Sequence, residues 1–409
     1  MIKKVFYKES FMIYVVITLS ILCANLLIMG FSGNSPTAPN IYNSYSLQAQ
    51  SWLNGRLDVA ENYTHLEIAV YNGRYYISFP PLPSIILMPF SLFLSSDTPD
   101  HFITLFMAVL AGIFAYKLAL NETGNKTKSL FYSLFLCIGS NFLFLSNTGY
   151  VWFMAQVFAF SFTLMSLYYA RVKKRSPVNP ALSLLFFCCA LGCRPLNAVY
   201  LPVIFYLLYE KNTPFAEYIR KLIISAIPAI MLGFVFMLLN YLRFGDIFEF
   251  GHNYLPEFTE SEHGQFSLAY LAGNFRTLWR LPDIAGGKLR FHAFNGTAFW
   301  LVSPIVITYA VTFIRRSFQT KKLNITLLLL ASCLLHLLFT CAHKTMGGWH
   351  FGHRYTVDML PVLFLGLLLQ IKGLGKGYDK ADIMFSIPLF VWGLGLNVIG
   401  TVFLYRGIL

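Results

Sequence analysis

Charge is scarce in this chain: of 409 residues only 12% are Asp, Glu, Lys or Arg, and only 18 are acidic. A soluble domain carries roughly a quarter charged residues, so the shortage excludes a water-solvated globule. No polar stretch is long enough for a large soluble domain, and low-complexity tracts and strong internal repeats are missing, which sets aside linkers and repeat arrays. The seven cysteines (Cys23, Cys137, Cys188, Cys189, Cys193, Cys333, Cys341) all fall inside apolar runs. With no paired spacing in polar segments they spell neither a disulfide framework nor a zinc site, and read as small packing residues. No small-residue cleavage site follows a short first apolar run, so Lys3, Lys4 and Lys8 precede an uncleaved helix rather than a secretory signal.

What the chain has in abundance is apolar sequence, 56% of its residues. Runs of about 20 residues, the length a helix needs to cross hydrocarbon, recur from end to end, most clearly at 11–30, 221–242 and 383–404. The composition predicts an all-α polytopic membrane protein, with the bilayer as its first partner.

Basic clusters stand at Lys3/Lys4/Lys8, Lys117/Lys126/Lys128, Arg171/Lys173/Lys174/Arg175, Lys211/Arg220/Lys221, Arg315/Arg316/Lys321/Lys322 and Lys372/Lys376/Lys380. Positively charged loops stay cytoplasmic, so the net charge of +13 reports orientation, and no nucleic-acid partner is expected. Keeping every cluster on one side forbids 79–95 from being a full crossing. Pro80, Pro81, Pro83 and Pro89 agree, because each removes a backbone donor. The same constraint divides 181–209 into two short helices that reverse near Arg194-Pro195. About 11 crossings result: 11–30, 101–120, 129–146, 150–170, 181–193, 196–209, 221–242, 297–314, 323–341, 357–371 and 383–404. Residues 1–409 then form a single transmembrane domain of the cell inner (cytoplasmic) membrane, N-terminus inside and C-terminus outside. The long polar segments 31–100 (first extracytoplasmic loop), 243–296 (second) and 342–356 all lie outside.

Between Tyr45 and Leu53 apolar and aromatic residues recur at helical spacing, which predicts a juxtamembrane amphipathic helix ended by Gly55. Asp58 and Glu67 follow in irregular chain, and Asn72-Gly73 signals a tight turn before Tyr75 and Tyr76.

The run Glu67-Ile68-Ala69-Val70-Tyr71-Asn72-Gly73-Arg74-Tyr75-Tyr76, followed by Pro80-Pro81-Leu82-Pro83, resembles the first-loop signature of the GT-C glycosyltransferases. These multi-pass enzymes, among them protein O-mannosyltransferases and aminoarabinose transferases, use polyprenyl-phosphate sugars. Cys193-Arg194-Pro195, Arg243-Phe244-Gly245-Asp246 with Glu249-Phe250-Gly251, and Gly348-Trp349-His350-Phe351-Gly352-His353-Arg354-Tyr355 with Asp358 and Pro361 are similar to bacterial members. The order of these stretches and their shared outer placement carry the resemblance over most of the chain. It implies a GT-C-like bundle with juxtamembrane helices in the first outer loop, and a first-loop carboxylate as general base. The acidic pair that the family often shows just after the first helix is missing, since 31–45 contains no carboxylate. Glu67 is the first candidate for the base and Asp58 the second.

The chemistry fits one base. A sugar linked through phosphate already carries a good leaving group, so inverting transfer needs a carboxylate to take the acceptor proton and cations to steady the phosphate. Arg354, at the start of the helix 357–371, is the leading phosphate ligand, with Arg194 and Arg74 beside it. A plain i,i+4 pair of Arg354 with Asp358 is the structural alternative, and Arg194 could equally snorkel. His353, Tyr355, Trp349, Tyr75 and Tyr76 are candidate sugar contacts, against the duller reading of an interfacial aromatic belt. His350 and His353 sit at i,i+3 with no third ligand fixed by spacing, so no metal is expected, and no cofactor. The resemblance implies a polyprenyl-phosphate sugar as donor and a glycan, lipid or protein as acceptor. A transporter or flippase of lipid-linked sugars is the alternative function, although transporters carry paired halves with broken midplane helices, and a non-catalytic assembly protein is a third.

Overall fold

The computed structural model describes residues 2–173, 176–210, 212–285, 287–319, 324–373 and 379–408. Lys174, Arg175, Lys211, Lys321, Lys322 and Lys376 of the basic clusters lie outside the described residues. The chain is mostly helical, in the order α1 (Ile2–Ser32), α2 (Ser44–Leu53), β1 (Ile68–Tyr71), β2 (Arg74–Ile77), α3 (Leu82–Leu94), α4 (Asp100–Thr123), α5 (Lys126–Ile138), α6 (Phe142–Ser146) and α7 (Val151–Arg171). There follow α8 (Val178–Leu191), α9 (Leu201–Leu208), α10 (Phe215–Phe244), α11 (Pro256–Thr259), α12 (Leu271–Leu278), β3 (Asp283–Ala285), β4 (Lys288–Arg290), α13 (Phe299–Val302), α14 (Ile305–Gln319), α15 (Asn324–Ala342), α16 (Leu360–Gly373) and α17 (Asp379–Tyr405).

Among the described residues seven helices are long and apolar enough to cross a membrane: α1, α4, α7, α10, α15, α16 with the turn from Tyr355 that precedes it, and α17. The other apolar runs are shorter or interrupted. The stretch 129–146 is α5 and α6, broken at Gly139–Asn141, where the backbone of α17 comes so close that a Cβ on Gly393 would lie 2.1 Å from the Gly139 carbonyl oxygen. The stretch 181–209 is α8, a 3-10 turn at Pro195–Tyr200 and α9. The stretch 297–314 is α13 and α14, parted at Ser303-Pro304.

The expectation of an all-α chain needs one correction: two short antiparallel hairpins are present, β1-β2 and β3-β4. In the first, Tyr71 pairs with Arg74 across Asn72-Gly73, and both turn residues have positive φ, 50° and 72°. This two-residue turn matches the twist of the strands it joins, and the β-branched and aromatic residues on either side suit a half-buried ribbon. The reading of α2 needs none at its end: Gly55 takes φ 74°, and the N–H groups of Gly55 and Arg56 close on the carbonyls of Trp52 (3.0 Å) and Ser51 (2.9 Å).

The polar segments gather at one end of the bundle. Isolated β-bridges join Phe266 to His343, Phe294 to Trp349 and Thr297 to Gly352, and the Arg243 guanidinium donates to the Ile77 carbonyl (3.3 Å). The opposite end holds basic residues around a buried acid: Glu122 accepts from Arg171 (2.7 and 2.9 Å) and from Lys372 (3.2 Å). At the polar end Asp100, the first residue of α4 and buried, accepts from Ser46 of α2 (2.6 Å) and Asn40 (2.8 Å). Asn40 also donates to the Gly149 carbonyl just before α7 (2.8 Å). One carboxylate thus ties the first loop to two helices. Asp100→Ala strands both donors, a loss of about 1–3 kcal/mol, and is expected to lower the thermal unfolding temperature of the detergent-solubilised protein; an unchanged transition would refute the anchoring role.

Candidate functional site

Glu67 lies immediately before β1, in a segment whose backbone is fixed by the Ser78 hydroxyl donating to the Glu67 carbonyl (2.8 Å). Its carboxylate turns toward the first turn of α7, where the Trp152 indole N–H donates to Oε1 (2.8 Å). One turn further along the same helix, Gln156 holds Arg354 from both sides. Its Oε1 accepts from the Arg354 guanidinium (3.0 Å) and its amide donates to the Arg354 carbonyl (3.1 Å). Residues four apart share a helix face and are separated by ~6 Å of rise. One face of α7 therefore holds both Glu67 and Arg354.

Arg354 is buried. Its Nε donates to the Gly347 carbonyl (2.9 Å), and Gly347 at φ 104° approaches so closely that a Cβ there would lie 2.8 Å from Nε. No side chain larger than hydrogen fits that position without moving the arginine. Asp358 does not pair with Arg354, as the i,i+4 spacing allowed. It takes a hydrogen bond from Gln156 (3.2 Å) on one oxygen and the Arg194 guanidinium (3.0 and 3.1 Å) on the other. Arg194 is delivered by the break between α8 and α9, so that interruption serves to place a cation. The Tyr355 ring is flanked by both guanidiniums, at 4.7 Å from Arg354 and 5.0 Å from Arg194, each a cation–π distance.

Burial raises the Glu67 carboxyl from its ordinary 4.5 to about 7; the Trp152 hydrogen bond opposes the rise, Glu257 adds to it, and Arg354 is near enough to oppose it. Burial likewise pushes His252 and His343 down to about 4, with Arg194 and Arg354 contributing to both. Two neutral imidazoles, two guanidiniums and a carboxyl poised near neutrality thus share one electrostatic neighbourhood. His353 is buried, pushed down to about 3 by burial and by Arg354, and both its ring nitrogens are without a hydrogen-bond partner among the described residues.

Other residues singled out from the sequence sit elsewhere. Asp58 is paired with Arg56 (3.1 Å) and held below the usual carboxylate range chiefly by that bond. Arg74 is exposed at the hairpin tip. Tyr76 is buried with Ala69 and Phe244, Tyr75 pairs with Val59, and the Trp349 ring packs on Tyr405 (5.4 Å). The Arg243 to Gly251 stretch is a clasp: Arg243 is buried, Asp246 caps the Phe248 N–H (2.8 Å), and a Cβ on Gly251 would meet Phe244 and Ser78. It sets His252 against the Ser78 carbonyl (3.0 Å). Sequence reasoning passed over Trp152, Gln156, His252 and His343. Gln156 had a signal, being a lone amide inside an apolar run, where a polar group needs a partner.

No protein-family model and no curated protein sequence matches the chain. Among solved structures the chain is similar to ArnT from Cupriavidus metallidurans bound to undecaprenyl phosphate, with a TM-score of 0.52 and 12% identity over 95% of this chain and 72% of that one. The likeness shows the fold, a helical membrane architecture shared with ArnT.

An acid whose folded pKa is raised keeps its proton when folded and loses it when unfolded, so stability falls as pH rises from about 4.5 to about 7. In the infrared difference spectrum a carboxyl band titrating near pH 7 is expected to vanish in Glu67→Gln, together with its part of the stability slope. Trp152→Phe removes a bond that favours the ionised form and moves that midpoint upward. A band that titrates near 4.5 would overturn the assignment.

Proposed function

We propose that the chain is a glycosyltransferase of GT-C type that moves a sugar from a polyprenyl-phosphate donor to an acceptor outside the cytoplasm, with inversion. One observation carries the reading: Trp152 and Gln156, one turn apart on α7, hold Glu67 and Arg354 at a single locus. The undecaprenyl phosphate bound to ArnT supports the class of donor.

Glu67, ionised, takes the proton of an acceptor hydroxyl as that oxygen bonds to the anomeric carbon. The bond from that carbon to the phosphate oxygen breaks, and polyprenyl phosphate leaves with the electron pair. A carboxyl near 7 is matched to general-base work at neutral pH. Arg354 and Arg194 stabilise the departing phosphate; both are already oriented by Gln156, Gly347 and Asp358, so little reorganisation accompanies the charge that develops. Tyr355 and His353 complete the wall beside the phosphate. Asp58, engaged by Arg56, serves the fold of the loop, and Arg74, Tyr75, Tyr76 and Trp349 frame the site rather than line it.

Counting α5 with α6 and α13 with α14 as interrupted crossings, and α8 and α9 as one each, gives eleven passages. The polar end is then extracytoplasmic and the Glu122 end cytoplasmic, as the positive-inside rule requires. The clustering of the polar network at one end of the bundle favours transfer over a transport path, which would place polar groups at mid-membrane.

Purified protein given a labelled polyprenyl-phosphate sugar and a candidate acceptor tests the proposal. Glu67→Gln is expected to bind donor as the unaltered chain does but to turn over about 10²–10⁴-fold more slowly. The kcat/KM of the unaltered protein should rise with pH to a plateau, with an apparent pKa near the value of about 7. Arg194→Gln should weaken donor binding more than it slows bound donor. Unchanged turnover in Glu67→Gln removes it as the base; donor flipped across vesicles without transfer refutes the enzyme.

A further inference from the structure

Between the polar network and the lateral face of the bundle lies a segment with no part in the chemistry above. Residues 264–295 carry four cations, Arg276, Arg280, Lys288 and Arg290, and one carboxylate, Asp283. The segment also presents large apolar side chains outward: Ile284 is 79% exposed, Phe275 57%, Leu281 52% and Trp279 50%. In a water-facing loop such exposure is unfavourable, since apolar area left in water forgoes about 25 cal/mol per Å².

The placement of α12 accounts for it. The Asn274 amide donates to the carbonyls of Cys341 (2.9 Å) and His343 (2.7 Å), so α12 lies across the C-terminal end of α15. The last turns of α15 expose Leu334, Leu335, Leu338 and Phe339, the apolar band by which this helix would face lipid. Phe275 and Trp279 are exposed on the segment that lies across that end of the helix, and Arg276 and Arg290 are exposed on it as well. Arg280 is occupied within the loop, donating to the carbonyls of Phe294 and Gly296.

Exposed apolar side chains laid across the end of an apolar helix long enough to cross a membrane, together with an excess of cations, fit the headgroup layer of a bilayer with anionic lipids. We propose that α12 and the β3-β4 hairpin form an in-plane anchor seated in that layer, with Phe275, Trp279, Leu281 and Ile284 at acyl depth and Arg276 and Arg290 at the phosphates. The partner is the bulk anionic phospholipid of the membrane that holds the chain. Because residues 265–267 pair with 342–344 through the Ser267 N–H to the Ala342 carbonyl and the Lys344 N–H to the Gln265 carbonyl (2.8 and 2.9 Å), the anchor also fixes the height of His343 relative to the surface.

The test uses the full chain in nanodiscs of phosphatidylcholine alone or with phosphatidylglycerol, each made with lipids brominated near the glycerol. The emission of the unaltered protein minus that of Trp279→Phe reports Trp279. Bromolipid quenching is expected in both, at least about twofold stronger with the anionic lipid, and the double variant Arg276→Gln, Arg290→Gln should reduce it to the zwitterionic level. Hydrogen exchange over 271–290 in the unaltered protein, slower in anionic discs, gives the same answer without a variant. Quenching by aqueous acrylamide but not by bromolipid, or equal quenching and equal exchange in the two membranes, overturns the proposal.

Discussion

Two turns of one helix set the geometry on which the rest of the site depends. Trp152 reaches the carboxyl of a residue 85 positions earlier, and Gln156 reaches a guanidinium 198 positions later. The amide of Gln156 also touches Asp358, which in turn holds Arg194. A neutral side chain therefore organises two cations and an acid. An amide suits that place because it donates and accepts at once, whereas a charged side chain would add another ion to a poorly solvated region.

That economy of charge extends outward. Two arginines flank one tyrosine ring while Asp358 pairs with Arg194 and not with Arg354, which leaves the neighbourhood cationic. The imidazoles nearby remain neutral because burial and the guanidiniums both disfavour a further positive charge. Glu67 is the counterpart: burial holds its proton, while Arg354 and the Trp152 indole favour its release. Such opposed influences, with Glu257 adding to the rise, bring the carboxyl near neutrality.

The scaffold commits backbone features to the same end. The interruption between α8 and α9 delivers Arg194, and Gly347 lets the chain approach Arg354. The clasp from Arg243 to Gly251 presses His252 against the hairpin, and Asp100 fixes the loop that carries α2. Motifs that look functional thus divide into those that contribute a polar group to the site and those that hold the loops which do.

Much of this was legible in one dimension. Scarce charge and recurrent apolar runs point to a helical membrane chain, because hydropathy sums over neighbours in sequence and needs no partner. The stop at Gly55 and the turn at Asn72-Gly73 were legible for the same reason, being local; the strands flanking that turn were missed because a strand exists only when its partner is present. Glu67, Arg354 and Arg194 could be picked out as candidates by type and resemblance. Their relations could not. Whether Asp358 pairs with Arg354, four residues away, or with Arg194, 164 residues away, is decided by which groups the packed helices bring within 3 Å. The raised carboxyl of Glu67 is likewise a property of what surrounds it, and only tertiary structure supplies those surroundings.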